Sequence, residues 1–225
     1  MGLIKDRKTK DQEEILDSGY YGVFGDEELA SLCTKVHGTT IVNGNELEKF
    51  IFAEIKIKKF SKKTYIECLE IINDNIGTPI YFDKVKISKD DFLKYSVKMT
   101  GKKNTNIDCI YYDGTTVYIL ELKDGASLDT KKSAKEVDDL GVTASIFTNE
   151  ELDNEFGLVL WRCSDLKNSS IKTNRTDYLL KTGRDLSEML GIDFYKIQKI
   201  RAKDQKDNVE FFITEMKKII TRLEK

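Results

Sequence analysis

Hydrophobic spacing along the chain alternates between the 3.6-residue period of a helix and the two-residue period of a strand. After about 25 mostly charged residues, "DEELASLC" reads as a short helix. In "GNELEKFIFAEIKIKKF", Leu47, Phe50, Ile51 and Ile55 recur at helical spacing, with Asn45 placed as an N-cap. A second helix is expected from Ser61 onward, with Tyr65, Leu69 and Ile72 on one face and Gly77 as a stop. "TPIYFDKVKI" alternates as a strand does, and a short helix capped by Ser88 follows. In "NIDCIYYDGTTVYILELKDG", two apolar-aromatic runs meet at Asp113-Gly114, a strong hairpin signal. "SLDTKKSAKEVDDLG" reads as a helix ending at Gly141, and "FGLVLWRCS" as a buried strand. The tail holds two short helices, Asp185–Leu190 and Phe194–Arg201, around a Gly191-Ile192-Asp193 turn. A final amphipathic helix carries Val209, Phe212, Ile213, Met216, Ile220 and Leu223 as a stripe, the pattern of core packing or a dimer contact.

This order of elements predicts an α/β fold: a mixed central β-sheet flanked by helices, with a helical C-terminal extension. The chain has 225 residues, 40% of them hydrophobic, enough to bury a core. Pro79 is the only proline and no repeat or low-complexity linker interrupts the chain. The expectation is one domain over 1–225, with a core at about 44–163 and a helical region at about 164–225 for recognition or dimerisation.

Composition then removes several classes of function. No run of 18 apolar residues exists, and the N-terminus "MGLIKDRKTKDQEE" lacks the apolar stretch of a signal peptide. A cytoplasmic protein without a membrane partner is expected. Cys33, Cys68, Cys109 and Cys163 form no Cys-x-x-Cys pair, which argues against a zinc ribbon or redox dithiol. With His37 the sole histidine, two-histidine metal sites are excluded. Acid–base or metal chemistry must therefore rest on carboxylates and lysines. The net charge of −2 argues against nucleic-acid binding by bulk charge. Eleven lysines and arginines against six acids between Arg162 and Lys206 nevertheless leave room for a local basic face or for solvated helices.

Glu-x-Lys occurs three times, at Glu54-Ile55-Lys56, Glu121-Leu122-Lys123 and Glu215-Met216-Lys217. Only the second ends a strand-like run, and only it follows a strand carrying an acid, Asp108. If Asp113-Gly114 forms a two-residue turn, Tyr112 pairs with Thr115 and Asp108 lies opposite Ile119. Asp108 and Glu121 are then diagonal neighbours, roughly 7–8 Å apart, and share a face with Lys123. The other face holds Cys109, Tyr111, Tyr118, Leu120 and Leu122 as a core. Two hard carboxylates suit Mg²⁺, which binds through one or two acids and keeps several waters. Lys123 is placed to orient an attacking water or stabilise a pentacoordinate phosphate. The ordinary alternative is an ion pair at a strand end.

Asp108 followed by Glu121-Leu122-Lys123 resembles the PD-(D/E)XK nuclease superfamily, although Ile107 stands where its motif has proline. The resemblance covers roughly half the chain and implies a restriction-endonuclease-like core. It makes Asp108, Glu121 and Lys123 catalytic, with Asp108 and Glu121 as metal ligands. It also implies a further acid from the preceding helix, Glu48 or else Glu46. Within the superfamily the chain looks most like type II restriction endonucleases. That likeness implies a homodimer cutting double-stranded DNA, with Lys131 and Lys132 near the backbone phosphates. Lys196, Lys199 and Arg201 on the second tail helix, with Asn174, Arg175 and Arg184, are further candidates for DNA contact. A structure-specific or repair nuclease of the same superfamily and a non-catalytic DNA-binding protein are the alternatives.

Overall fold

The computed structural model describes residues 3–88, 90–91, 104–126, 130–148, 152–166 and 175–225. They fall into two compact units. One is Met1–Phe50 with Tyr195–Lys225, and the other is Ile51–Phe194.

The first unit is helical. Short helices α1 (Gln12–Leu16) and α2 (Gly19–Phe24) precede the long α3 (Glu27–Glu54). What the pattern separates into two helices around Asn45 is thus one helix of 28 residues. Gly38 and Gly44 lie inside it, because a glycine lowers helix stability by only about 1 kcal/mol and does not by itself break the ladder. Ile4, Leu32 and Ile219 form this unit's small core, joined by Leu29, Val36, Phe211, Phe212 and Met216. Two of the six stripe residues, Phe212 and Met216, therefore pack inward, while Val209, Ile213, Ile220 and Leu223 stay exposed.

The second unit holds a six-stranded sheet in the order β1-β2-β3-β4-β5-β6. Its strands are β1 (Lys58–Ser61), β2 (Ile80–Ser88), β3 (Asn104–Tyr112), β4 (Thr116–Lys123), β5 (Asp153–Leu160) and β6 (Leu179–Thr182). The middle, β2-β3-β4, is antiparallel, while β1 runs parallel to β2 and β5 and β6 run parallel to β4. Among the described residues, helices α4 (Tyr65–Asn73), α5 (Thr130–Thr148) and α6 (Gly183–Leu190) belong to this unit, while α7 (Phe194–Leu223) lies in the first unit from Tyr195 onward. This mixed sheet flanked by helices, with a C-terminal helix, is compatible with a restriction-endonuclease-like core.

Several boundaries differ from the periodic reading. Helix α4 starts at Tyr65 rather than at Ser61, and Thr64 is its cap. Thr64 and Glu67 form a capping box, with the Thr64 N–H donating to Glu67 at 2.8 Å. Ser61 instead closes β1, a strand the helical spacing concealed, and its hydroxyl donates to Asp83 (2.9 Å). Ser88 does cap a turn, donating through its N–H to Asp91 (2.7 Å), but the expected helix beyond it lies outside the described residues. Helix α5 runs through Gly141 to Thr148. The two tail helices expected after Gly191 are one, the 30-residue α7.

A large cluster fills the space between the sheet and helices α4 and α5. Tyr65, Cys68 and Ile72 meet Ile110, Tyr112, Val117 and Ile119 there, and Val137, Ala144 and Phe147 close it from α5. Tyr65 meets Phe147 edge-on with ring centroids 5.0 Å apart. The reverse side of the sheet is buried too, with Tyr81, Cys109, Leu120 and Val159 fully inaccessible.

Candidate active site

The β3–β4 hairpin sets the register at the site. Tyr112 pairs with Val117, not with Thr115, and the ladder continues through Tyr111↔Tyr118 and Ile110↔Ile119 to Cys109↔Leu120. The reason lies in Asp113. Its carboxylate accepts from Thr115 N–H (2.8 Å), Thr115 Oγ1 (2.9 Å) and Thr116 N–H (2.8 Å), so Asp-Gly opens a longer side-chain-closed loop. The correction amounts to two residues, and an even shift leaves the faces unchanged. The ladder ends at Cys109↔Leu120, and continuing its register by one step would set Asp108 across from Glu121 instead of diagonally.

The acid-bearing face is not separate from the core, as the alternation had implied. Ile110, Tyr112, Val117 and Ile119 belong to the same face and lie in the cluster beneath α4 and α5. Cys109, Leu120 and Leu122 on the reverse are also buried, so both faces of the pair are covered. Glu121 and Lys123 continue that covered face past its last apolar side chains. Their side chains remain 22% and 24% exposed, so the charges keep a path to water.

At Asp108 the sheet is irregular. Between β2 and β3 the ladder pairs Asp83 with Cys109 and Val85 with Ile107, skipping Lys84 and Asp108. Lys84 adopts a left-handed φ of 56°, which a side chain disfavours and surrounding structure must enforce. Phe82 and Val85 consequently both join the α4-side core, although strict alternation would send them to opposite faces. The Leu122 N–H donates to Asp108 Oδ2 at 3.0 Å, so this carboxylate caps the point where β3–β4 pairing ends.

Lys123 lies between two acids. Its Nζ is 2.8 Å from Glu121 Oε1 and 3.2 Å from Glu136 Oε1 on α5. Burial pushes the Lys123 ammonium down, but the Glu121 and Glu136 charges outweigh this and hold it above its ordinary range. The second Glu136 oxygen, Oε2, is inaccessible and has no hydrogen-bond partner among the described residues. Sequence reasoning missed Glu136, because no short motif spacing links it to Glu121. The signal is topological: α5 bridges the parallel strands β4 and β5, a connection that lays the helix across the sheet.

Other expected site residues are placed as follows. Glu48 is buried on α3 in the first unit, 7% exposed. Its alternative, Glu46, pairs with the exposed Lys49 at 2.7 Å. The side chains of Lys131 and Lys132 lie outside the described residues, as does Asn174. Arg175 forks onto Asp177, with Nε–Oδ1 at 2.8 Å and Nη2–Oδ2 at 2.6 Å, and stacks on Phe156. Arg184, Lys196 and Lys199 are exposed. Arg201 is 2% exposed, so it does not offer its guanidinium to a groove.

Among the described residues no group of three or more His, Cys, Asp or Glu side chains is gathered as a metal cage. The donor set of Asp108 and Glu121 nevertheless fits Mg²⁺, which needs only one or two protein carboxylates. No described helix is long and apolar enough to cross a membrane.

Two acids and a lysine thus meet at one end of a mixed α/β sheet. The chain is 29% identical over 212 residues to the type II restriction enzyme HhaII of Haemophilus parahaemolyticus, covering 90% of this chain and 89% of that one. No protein-family model matches the chain, and no solved structure matches it.

Proposed function

We propose that the protein is a Mg²⁺-dependent, site-specific endonuclease of the type II restriction kind, acting as a homodimer on double-stranded DNA. The observation that carries this reading is the convergence of Asp108, Glu121 and Lys123 at one end of the β3–β4 pair. Similarity to a restriction enzyme over nearly the whole chain supports it.

In this reading Asp108 and Glu121 hold the cation. When bound, the metal supplies a hydroxide near neutral pH and offsets charge on the phosphate. The chain's own residues do the rest. Leu122, fixed by its N–H bond to Asp108, keeps the two strands at a set spacing. Lys123 presents an ammonium held charged by its two acids, placed to orient the attacking water and to neutralise the developing oxyanion. The exposed Arg184, Lys196 and Lys199 are proposed to contact DNA, and Lys131 and Lys132 to meet phosphates near the cut.

Incubating plasmid DNA with the protein and MgCl₂ tests the reading. Discrete fragments, abolished by EDTA, are expected. DNA retardation without any cleavage overturns it, and cutting confined to branched DNA overturns the site-specific assignment.

A further inference from the structure

Glu136 touches Lys123 from a different element than Glu121 does, and nothing in the Glu-x-Lys motif requires it. Resting on the nuclease reading, we propose that Glu136 is a positioning residue: it anchors the Lys123 ammonium from α5 while Glu121 holds the cation.

The argument begins with competition for Glu121. Its Oε1 sits 2.8 Å from Lys123 Nζ. A carboxylate that also binds a divalent cation shares its charge with it, which weakens its hold on the ammonium. Lysine ends in a point charge on a flexible four-carbon stem, so one weakened contact leaves the amine several rotamers to occupy. Catalytic positioning is sensitive to such freedom, since displacement of a group by about 1 Å lowers rates by about 100-fold.

Glu136 supplies the second anchor, with Oε1 at 3.2 Å. Its backbone is well fixed, because the next residue, Val137, is fully buried in the α5 core, as is Phe147 further along. Glu136 does not serve as a helix surface charge: its side chain is only 29% exposed, and Oε2 is inaccessible and has no partner among the described residues. An unbonded, water-excluded carboxylate oxygen is unfavourable, and a role limited to stability is poorly served by one. The arrangement is instead what a residue acting through Lys123 needs. One oxygen faces the ammonium, and the stem comes from a rigid helix outside the metal-binding hairpin.

The test uses the full chain, supercoiled plasmid DNA and MgCl₂ under enzyme excess, with retardation of the same linearised DNA in CaCl₂ as the binding readout. Glu136→Gln is expected to lower the cleavage rate constant by about 10- to 100-fold. The half-saturating protein concentration for binding should stay within about twofold, because no DNA contact is removed. Glu136→Asp, which keeps the charge but withdraws it by one methylene, should fall between the two rates. In a Lys123→Gln background, adding Glu136→Gln should change the residual rate by less than about twofold, since the effect passes through Lys123. Wild-type cleavage by Glu136→Gln, or an equal loss with and without Lys123, overturns the inference. So does a rate loss that merely follows lost DNA affinity or a lowered melting temperature. If Glu136→Gln does not fold, Glu136→Asp decides by the same rate-against-affinity comparison. Wild-type cleavage by Glu121→Ala or Lys123→Gln overturns the underlying active-site reading instead, so the two failures are distinguishable.

Discussion

Two aspartates of the sheet, Asp108 and Asp83, are held in opposite ways. Asp108 is half-buried and accepts the Leu122 N–H through Oδ2. Asp108→Asn preserves an acceptor oxygen there while removing the charge. Stability should therefore change by no more than about 1 kcal/mol, whereas plasmid cleavage should fall at least about 100-fold with DNA retardation intact. Glu121→Ala should likewise abolish cleavage, and near wild-type cutting by either variant refutes the metal-ligand assignment. Asp83 is 8% exposed, accepts from the Ser61 hydroxyl through Oδ2, and leaves Oδ1 without a partner. Burial pushes its carboxyl above the ordinary range, more than the Ser61 bond and the Lys84 and Lys62 charges pull it down. The folded protein then binds this proton more tightly than the unfolded chain does. Its contribution to stability is present at low pH and is lost as pH climbs from the unfolded aspartate value, about 3.9, through the raised folded one. Asp83→Asn should remove that loss. Denaturant unfolding of both proteins across pH 3.5 to 7 should show the asparagine form gaining on wild type as pH rises, and parallel curves would contradict it.

At the level of elements, glycine decides both where prediction succeeds and where it fails. Gly157 lies in β5 opposite Leu179 of β6, and a Cβ there would collide with the Leu179 backbone carbonyl. Neither strand can yield without losing ladder bonds, so Gly157→Ala should destabilise the protein by about 2–3 kcal/mol. Chemical denaturation measures this, and a change below about 0.5 kcal/mol would mean that β6 is not packed as described. Gly114, with φ 109° and Gly77 backbone 3.0 Å from its would-be Cβ, is constrained twice over. Gly191 ends α6 with φ 63°, as its position after the periodic run indicates. Gly141 looked the same in sequence but sits mid-helix, where its missing Cβ admits the Arg175 guanidinium. A sequence shows that a glycine is present, not whether it serves a dihedral angle or a close approach. For that reason the periodic pattern ends α5 at Gly141, short of Thr148, and divides the long α3, which holds Gly38 and Gly44 inside it. The four-residue strands β1 and β6 escaped notice because so few positions cannot establish a period. The β3–β4 hairpin was legible because Asp-Gly between alternating runs constrains pairing locally. Its register was off by two because Asp113 bonds to its own loop. Glu136 was not legible, since only the α5 connection brings it to Lys123.

At the scale of the whole molecule, the proposal demands more than one chain. The described residues contain one Asp108, Glu121 and Lys123 constellation, and one such site attacks one strand at a time. Cutting both strands in a single encounter therefore requires two chains. With a net charge of −2, the proposed DNA binding would have to run through local basic faces, and it should then weaken steeply as salt rises. A dimer would sediment at about 52 kDa, twice the 25.9 kDa of the chain. Subunit mixing makes the point sharper than mass alone. Wild-type protein acting as a dimer should convert supercoiled plasmid to linear DNA with little nicked intermediate. Co-refolded wild-type and Asp108→Asn chains should produce nicked circles, because a mixed dimer has one working site and breaks one strand per binding event. The nicked fraction should peak near equal proportions of the two chains and fall when either is in excess. If the nicked fraction stays at the wild-type level at every ratio, each chain is cutting independently of its partner. Wild-type nicking that dominates from the start would instead identify a monomeric nickase, leaving Asp108 and Glu121 in place but removing the restriction-type dimer.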